Sequence, residues 1–420
     1  MTNVADLLRD AASLAAEMPA HRYVVNLCGD RYRFTVALAA ALLREQITLL
    51  PQDATEGVLG QLAVDYRDLY CLHDGPAPQA AGACFAFSGP LARSSAPARM
   101  PQIPESQPAV VLFTSGSTGR PAPHLKRWGT LVRSSLAAGA RLGIATLPGA
   151  TVIGTVPHQH SYGLESTILL ALQHGLALYG GRPFYPADIL SAILAAPRPR
   201  ILITAPIHLR AILADAGELP PLDLIVSATA PLAPALAAEA EARFAAPLLE
   251  IYGCSEAGQL ALRRTAASAE WRSLDSVALR QDMAGTWASG AVVEGEVLLG
   301  DVLELLGADR FLLHGRMADL VNIAGKRTSL AYLNAQLTSI PGVVDGVFVA
   351  PEETGAGIAR LAAYAVAPGL SEKAILAELR RRIDTAFLPR PLRCVEALPR
   401  NHLGKLPHEA VRRLAAEQDG

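Results

Sequence analysis

The chain is short of the residue types and runs that define several large protein classes. Its 420 residues hold five cysteines, Cys28, Cys71, Cys84, Cys254 and Cys394, an odd number with no CxxC pair. That excludes a disulfide framework and a thiolate zinc cage, and it points to a reducing, cytoplasmic setting. Charge of one sign is lacking too: 37 Lys and Arg stand against 39 Asp and Glu, a net charge of −2, with no block of like charge. Neither nucleic acid nor an anionic membrane is therefore an expected partner. The longest apolar run, 34–43, lies between Arg33 and Arg44 and is too short to span a bilayer. Asp6, Arg9, Asp10 and Glu17 interrupt the first 22 residues, which reads as an amphipathic helix and not as a signal peptide. No unit of 20 to 50 residues repeats, so a solenoid or propeller is not expected.

What is present is alternation. Helical Ala/Leu/Arg segments at 35–46, 130–142, 187–196 and 234–244 are interleaved with short β-branched runs at 110–113, 151–156, 201–204 and 224–226. That order predicts an α/β fold, a parallel sheet covered by helices. Residues 72–108, rich in Ala, Pro, Gly and Ser, read as a surface connection. Strands at 292–299 and 310–314 suggest a small β-rich subdomain. Beyond it, strands near 343–350 and 361–366, a helix at 371–385 and a closing helix after Pro407 predict a small α+β unit. The expected division is a large N-terminal domain, 1–315, and a small mobile C-terminal domain, 316–420.

The sharpest local signal is the run Thr114, Ser115, Gly116, Ser117, Thr118, Gly119, Arg120, Pro121, directly after an apolar strand. Backbone N–H groups freed by two glycines, with four hydroxyls beside them, suit a polyphosphate. A Walker A loop is absent, because Gly404-Lys405 is followed by Leu406 and Gly325-Lys326 by Arg327. By itself such a loop is as often a solvated turn. Thr114 to Pro121, however, resembles the TSGSTGxPK signature of the AMP-forming adenylate ligases, the superfamily of acyl-CoA synthetases, peptide-synthetase adenylation domains and luciferases.

Further blocks follow in that superfamily's order. Pro157 to Leu164 is similar to its PxxHxxG segment, with His160 as the match and His158 as a structural histidine. Ser227 to Leu232 is similar to SGGAPL, with Ala228 and Thr229 in place of glycines and with Ala230 and Pro231 along the nucleotide. Added Cβ atoms narrow the acid site, so a flat or short acid is expected. Tyr252, Gly253, Cys254, Ser255 and Glu256 resemble YGxTE, which implies an aromatic ring against adenine, a hydroxyl for phosphate and a carboxylate for Mg²⁺. Cys254 is expected to pack and not to act as a nucleophile. Asp301, or failing it Asp309, matches the aspartate that grips the ribose hydroxyls.

Residues 315–327 resemble the GRxDDxIKxxGxR hinge, with Ala318 and Asn322 departing from it. The resemblance implies Arg316 as a ribose or phosphate contact, Arg327 as an additional phosphate contact and Gly325 in a thiol tunnel. Residues 398–406 resemble the PRTxxGK loop and make Lys405 the catalytic lysine, a cation that offsets charge as carboxylate meets α-phosphate.

Together these similarities imply a ligase that uses ATP and Mg²⁺ to turn a carboxylic acid, aromatic for preference, into acyl-AMP. A phosphopantetheine thiol, on CoA or an acyl carrier protein, then displaces AMP. The short stretch before the phosphate loop resembles compact aryl-acid ligases of aryl-polyene and xanthomonadin-type pigment pathways. The arginines at 380–382, 390 and 393 fit either an acidic carrier protein or a solvated helix face. The hinge departures leave open a catalytically impaired nucleotide-binding member acting as sensor or scaffold. An unrelated phosphate-binding enzyme such as a kinase is a weaker alternative.

Overall fold

The runs Ile201-Leu202-Ile203 and Leu224-Ile225-Val226 are apolar at every position, and the fold uses both of their faces. Ile201, Ile203, Leu224 and Val226 face one core, while Leu202 and Ile225, pointing the other way, join a second. Strands buried on both sides belong inside a parallel sheet covered by helices. The computed structural model describes residues 3–78, 83–87, 100–115, 121–215, 217–316, 320–323, 326–350, 361–400, 406, 410 and 413.

Two large sheets make up the N-terminal part. The first has the order Ala83–Ala86, Leu69–His73, Tyr23–Asn26, Ile47–Leu50, Pro108–Ser115, Pro121–Arg127, and only the last strand runs antiparallel to its neighbour. The second has nine strands. Five are parallel in the order Ala177–Leu178, Thr151–Gly154, Arg200–Thr204, Leu224–Ser227, Leu248–Cys254. Four antiparallel strands continue it: Gly258–Arg263, Trp271–Ser273, Arg310–Arg316 and Asp301–Leu305.

Between the sheets lies the helix Arg31–Leu43, whose Phe34, Val36, Ala37, Leu38, Ala40 and Ala41 are all buried. A helix without a polar face can only sit in an interior. Leu164, Ile168 and Leu169 join the same core from Leu164–Leu169, which is wound as a π-helix. The outer face of the second sheet is covered by Pro186–Ala195, Pro206–Asp215 and Pro234–Phe244.

Two expectations are corrected. The stretch 72–108 is more than a connection, because Ala83–Ala86 pairs in parallel with Leu69–His73 at the edge of the first sheet. The expected β-rich subdomain is also rearranged. Val292 and Val293 are buried outside any strand, only Val297–Leu298 of that run is extended, and Arg310–Arg316 joins the nine-stranded sheet through Trp271 and Arg272. The small sheet is instead Val277–Asp282, Gly285–Gly290 and Val297–Leu298.

The C-terminal part has a core of its own. Val321, Leu333, Leu337, Phe348, Ala363, Ile375, Leu379 and Leu392 cluster together. They come from the hairpin Leu320–Ile323 with Lys326–Ser329, the helices Leu330–Thr338 and Glu372–Leu379, and the sheet Asp345–Val349, Ala362–Val366, Leu392–Cys394. The predicted helix at 371–385 ends earlier, at Leu379, and a 3₁₀ turn Thr385–Phe387 follows. Of the closing helix, only residues 410 and 413 lie within the described part, and both are helical.

Candidate active site

In a parallel sheet the chain leaves each strand at the same rim, so side chains just past the carboxyl ends converge. Four such exits do so here: residues 155–160 after Thr151–Gly154, 205–208 after Arg200–Thr204, 228–229 after Leu224–Ser227, and 254–256 at the end of Leu248–Cys254. Val156, Pro157, His160, Tyr162, Gly163, Ala205, His208 and Thr229 line a cavity of about 300 Å³ including its mouth. Apart from its two imidazoles, two hydroxyls and backbone, this wall is apolar.

Local chemistry holds the rim in place. The Tyr162 hydroxyl reaches the carbonyls of Thr204 at 3.1 Å and Val226 at 3.0 Å, tying the ends of two strands. A Cβ on Gly163 would strike the Pro157 carbonyl, so the chain can fold back there only through glycine. His158 is buried; its Nε2 donates to the Cys28 carbonyl at 3.0 Å, and its ring packs 4.5 Å from Phe34. This is the structural role expected for it, and burial lowers its pKa to about 4.

A second group forms where the two kinds of strand meet. The Tyr252 hydroxyl donates to Asp301 Oδ2 at 2.8 Å, and Arg316 Nε lies 3.7 Å from Asp301 Oδ1. Register accounts for the meeting: Leu303 pairs with Leu313, a bulge shifts the ladder by one, and Asp301 then faces Arg316. Tyr252 is backed by Phe311 at 5.5 Å and Trp271 at 5.7 Å. Burial and Asp301 both raise its pKa, so the phenol stays protonated and donates. Asp309, the fallback, sits in an exposed turn where its carbonyl takes the Ser273 N–H.

The third group lies at the end of the first sheet. Thr114 Oγ1 is 2.9 Å from His124 Nε2, and the same nitrogen is 3.8 Å from Glu256 Oε1. Burial lowers the His124 pKa, against the opposing pull of Glu256. Lys126, two positions on and so on the same face of its strand, is buried and donates to the Glu256 carbonyl at 2.6 Å. Burial lowers the Lys126 pKa, while Glu165 and other nearby groups oppose the shift. The Glu256 side chain is 38 % exposed. One accessible carboxylate beside a hydroxyl suits Mg²⁺, which keeps waters and shares phosphate oxygens. Among the described residues no three His, Cys, Asp or Glu converge as a protein-only metal cage. Cys254 packs against the core, and burial first, then Glu256, pushes its thiol up to about 12, as a non-nucleophilic role requires.

A model of the AMP-binding enzyme family matches residues 14–281. The chain belongs to that family. It is 33% identical over 307 residues to a 4-coumarate–CoA ligase of Rhodobacter capsulatus, an alignment that covers 71% of this chain and 75% of the relative. A 3-hydroxybenzoate/4-hydroxybenzoate–CoA ligase of Thauera aromatica is 25% identical over 383 residues, 81% of this chain and 72% of the relative. The fold matches ATP-bound MatB from Rhodopseudomonas palustris with a TM-score of 0.84 at 18% identity, covering 99% of this chain and 94% of that one. It also matches o-succinylbenzoate CoA synthetase of Bacillus subtilis bound to its acyl-adenylate, with a TM-score of 0.81 at 18% identity, covering 97% and 91%.

Within this AMP-binding enzyme, His160 and Thr229 meet at the cavity, Tyr252, Asp301 and Arg316 at the second group, and Thr114 and Glu256 at the third. Gly253 holds the bulge beside Tyr252, where a Cβ would strike the Gly258 carbonyl. Ala230, Pro231 and Ser255 follow their strands directly. Gly116, Ser117, Thr118, Gly119, Gly325 and Lys405 lie outside the described residues, while Ser115 and Arg327 are placed by backbone alone. Lys126 and His208 were not singled out from the sequence. A lysine in a strand and a histidine in a helix carry no motif, and their burial is a property of the fold.

Proposed function

We propose that this enzyme activates a carboxylic acid, an aromatic one, with ATP as acyl-AMP and pyrophosphate, and then passes the acyl group to a phosphopantetheine thiol. The convergence of Tyr252, Asp301 and Arg316 at the same sheet as a largely apolar cavity carries this reading: nucleotide and acid chemistry meet at one rim. The two ligase relatives, named for 4-coumarate and for hydroxybenzoates, support an aromatic acid and CoA as the acceptor.

Each group has a task. Asp301 offers its carboxylate to the ribose hydroxyls while Tyr252 fixes its orientation. His160, in the cavity wall, orients the acid's carboxylate. The 114–119 loop holds the polyphosphate, and Lys405 brings a positive charge to the α-phosphate as carboxylate attacks. Glu256 would hold Mg²⁺, which as a Lewis acid draws charge from the phosphate oxygens. No covalent enzyme intermediate is needed, because holding acid and phosphate together supplies the rate.

CoA is the acceptor we favour over a carrier protein. The arginines that could dock an acidic partner are in part already paired: Arg381 and Arg382 with Glu378 at 3.1 and 3.5 Å, and Arg393 with Glu372 at 3.8 Å. The deciding experiment is ATP–pyrophosphate exchange with Mg²⁺ across hydroxybenzoates, cinnamates, fatty acids and amino acids, followed by CoA and a carrier protein as acceptors. Exchange with aromatic acids and a CoA thioester product is expected. ATP binding without exchange for any acid would mark a nucleotide sensor, and ADP as product would mark a different chemistry.

A further inference from the structure

The ligase reading leaves one buried polar atom of a cavity-lining residue without a task, and the role assigned to that atom rests on the same reading. His208 lies in the first turn of Pro206–Asp215, lines the cavity and is 7 % exposed. Its Nδ1 is 2.7 Å from Thr155 Oγ1, and the Thr155 hydroxyl donates to Thr204 Oγ1 at 3.0 Å. One hydroxyl hydrogen cannot serve both bonds. In that arrangement the imidazole donates from Nδ1 to Thr155 and leaves Nε2 as a lone pair; with the Thr204 hydroxyl donating to Thr155 instead, Nε2 would carry the hydrogen and the preference for a donor on the acid would be absent.

Burial keeps the ring neutral by lowering its pKa to about 4. Nε2 has no hydrogen-bond partner among the described residues. Tyr162, a polar neighbour in the wall, is occupied by the Thr204 and Val226 carbonyls, and Phe184 presents only a ring, 5.3 Å away. A buried acceptor left unpaired costs stability that a ligand bringing a donor recovers.

We propose that His208 is a specificity-determining residue, its Nε2 accepting a hydrogen bond from a hydroxyl on the acid, so that the substrates are hydroxy-substituted aromatic acids. The same lone pair disfavours a second carboxylate, which offers only acceptors, and a methoxy group, which fills space but donates nothing. A pocket built around such a bond rejects an analogue lacking the hydroxyl more strongly than a size mismatch would.

The test measures kcat/KM for pyrophosphate exchange with matched acids: 4-hydroxybenzoate, benzoate and 4-methoxybenzoate, then 4-coumarate, cinnamate and 4-methoxycinnamate. Wild type should prefer the hydroxy acid by at least about tenfold, chiefly through KM. His208→Leu should reduce that preference to within about twofold, with the loss falling mainly on the hydroxy acid. Thr155→Val lets the ring change tautomer without touching the acid and should lower the preference a few-fold. It carries the test if His208→Leu does not fold.

Equal loss on both acids in His208→Leu, or full preference retained in the variants that fold, overturns the proposal. Exchange by wild type with no preference for hydroxyl overturns it while leaving the ligase reading intact. No exchange with any acid overturns both.

Discussion

Thr229 carries a β-branched side chain on a backbone with φ of 81°, the left-handed region where a Cβ crowds its own carbonyl. It occupies a glycine position of the superfamily's turn and lines the acid cavity. Strain tolerated at a site wall is a functional constraint to be tested, and glycine is the residue that relieves it. Thr229→Gly should therefore be more stable than Thr229→Ala by about 1 kcal/mol, the reverse of the order in ordinary extended backbone. Urea denaturation of the two variants decides it, and a more stable alanine variant would contradict the strained turn. His158 makes a pH prediction. Its pKa is 6.5 when unfolded and about 4 when folded, so the unfolded chain takes up the proton first. Stability is full above pH 6.5 and falls as pH drops towards 4, by at most about 3 kcal/mol for this group. Denaturation midpoints from pH 7 to 4 should decline less steeply in His158→Gln. An unchanged slope would mean that the histidine is not buried in its neutral form.

Arg31 joins elements rather than atoms of the site. It is fully buried at the start of the helix between the sheets, and burial lowers its pKa to about 10. Its guanidinium donates to the carbonyls of Gly154 and Val156 at 3.1 and 3.2 Å, and to those of Tyr179 and Gly181 at 3.3 and 3.1 Å. One side chain thus fixes the rim segment that supplies Val156 and Pro157 to the cavity. Arg31→Met should cost about 3–5 kcal/mol, because four carbonyls, those of Gly154 and Val156 buried, lose a charged donor. The folded fraction should bind the acid more weakly. Urea denaturation and the KM for the acid measure the two effects, and a loss below about 1 kcal/mol would refute the anchoring role. Elements were legible in the sequence where burial is a local pattern, as in Ile201-Leu202-Ile203, apolar on both faces. Ala83–Ala86 was not, because a four-residue, mostly exposed edge strand has no alternation to show. The strand Arg310–Arg316 was recognised but misassigned, since its partner Trp271 lies about forty positions earlier and only the ladder brings them together. The site divides the same way. Tyr252, Glu256 and Asp301 stand in motifs, whereas His208 and Lys126 acquire their meaning from cavity walls and neighbours that exist only in the folded chain.

At the scale of the molecule, the separate core of the C-terminal part is what makes a two-position mechanism physically reasonable. Val321 to Leu392 pack among themselves, so that unit can rotate without opening its own interior. We place the pivot just beyond Arg316, which still pairs with Asp301 in the large sheet, and we assign Lys405 to the moving unit. One contact across the junction is polar: the Ser329 hydroxyl donates to the His314 carbonyl at 2.8 Å. Arg210, on a helix of the large part, has its pKa lowered by burial against the pull of Asp345, which itself binds Arg400 at 2.6 Å. If Lys405 serves only the step that makes acyl-AMP, its loss should separate the half-reactions. Lys405→Ala should reduce pyrophosphate exchange by about 10²–10³-fold, as for removal of a charge-stabilising donor, while transfer to CoA from supplied acyl-AMP stays within a few-fold of wild type. Stopped-flow release of AMP from supplied acyl-AMP measures the second step alone. Equal loss in both steps would place the lysine in a site that does not change between them, and the C-terminal unit would then be fixed rather than alternating.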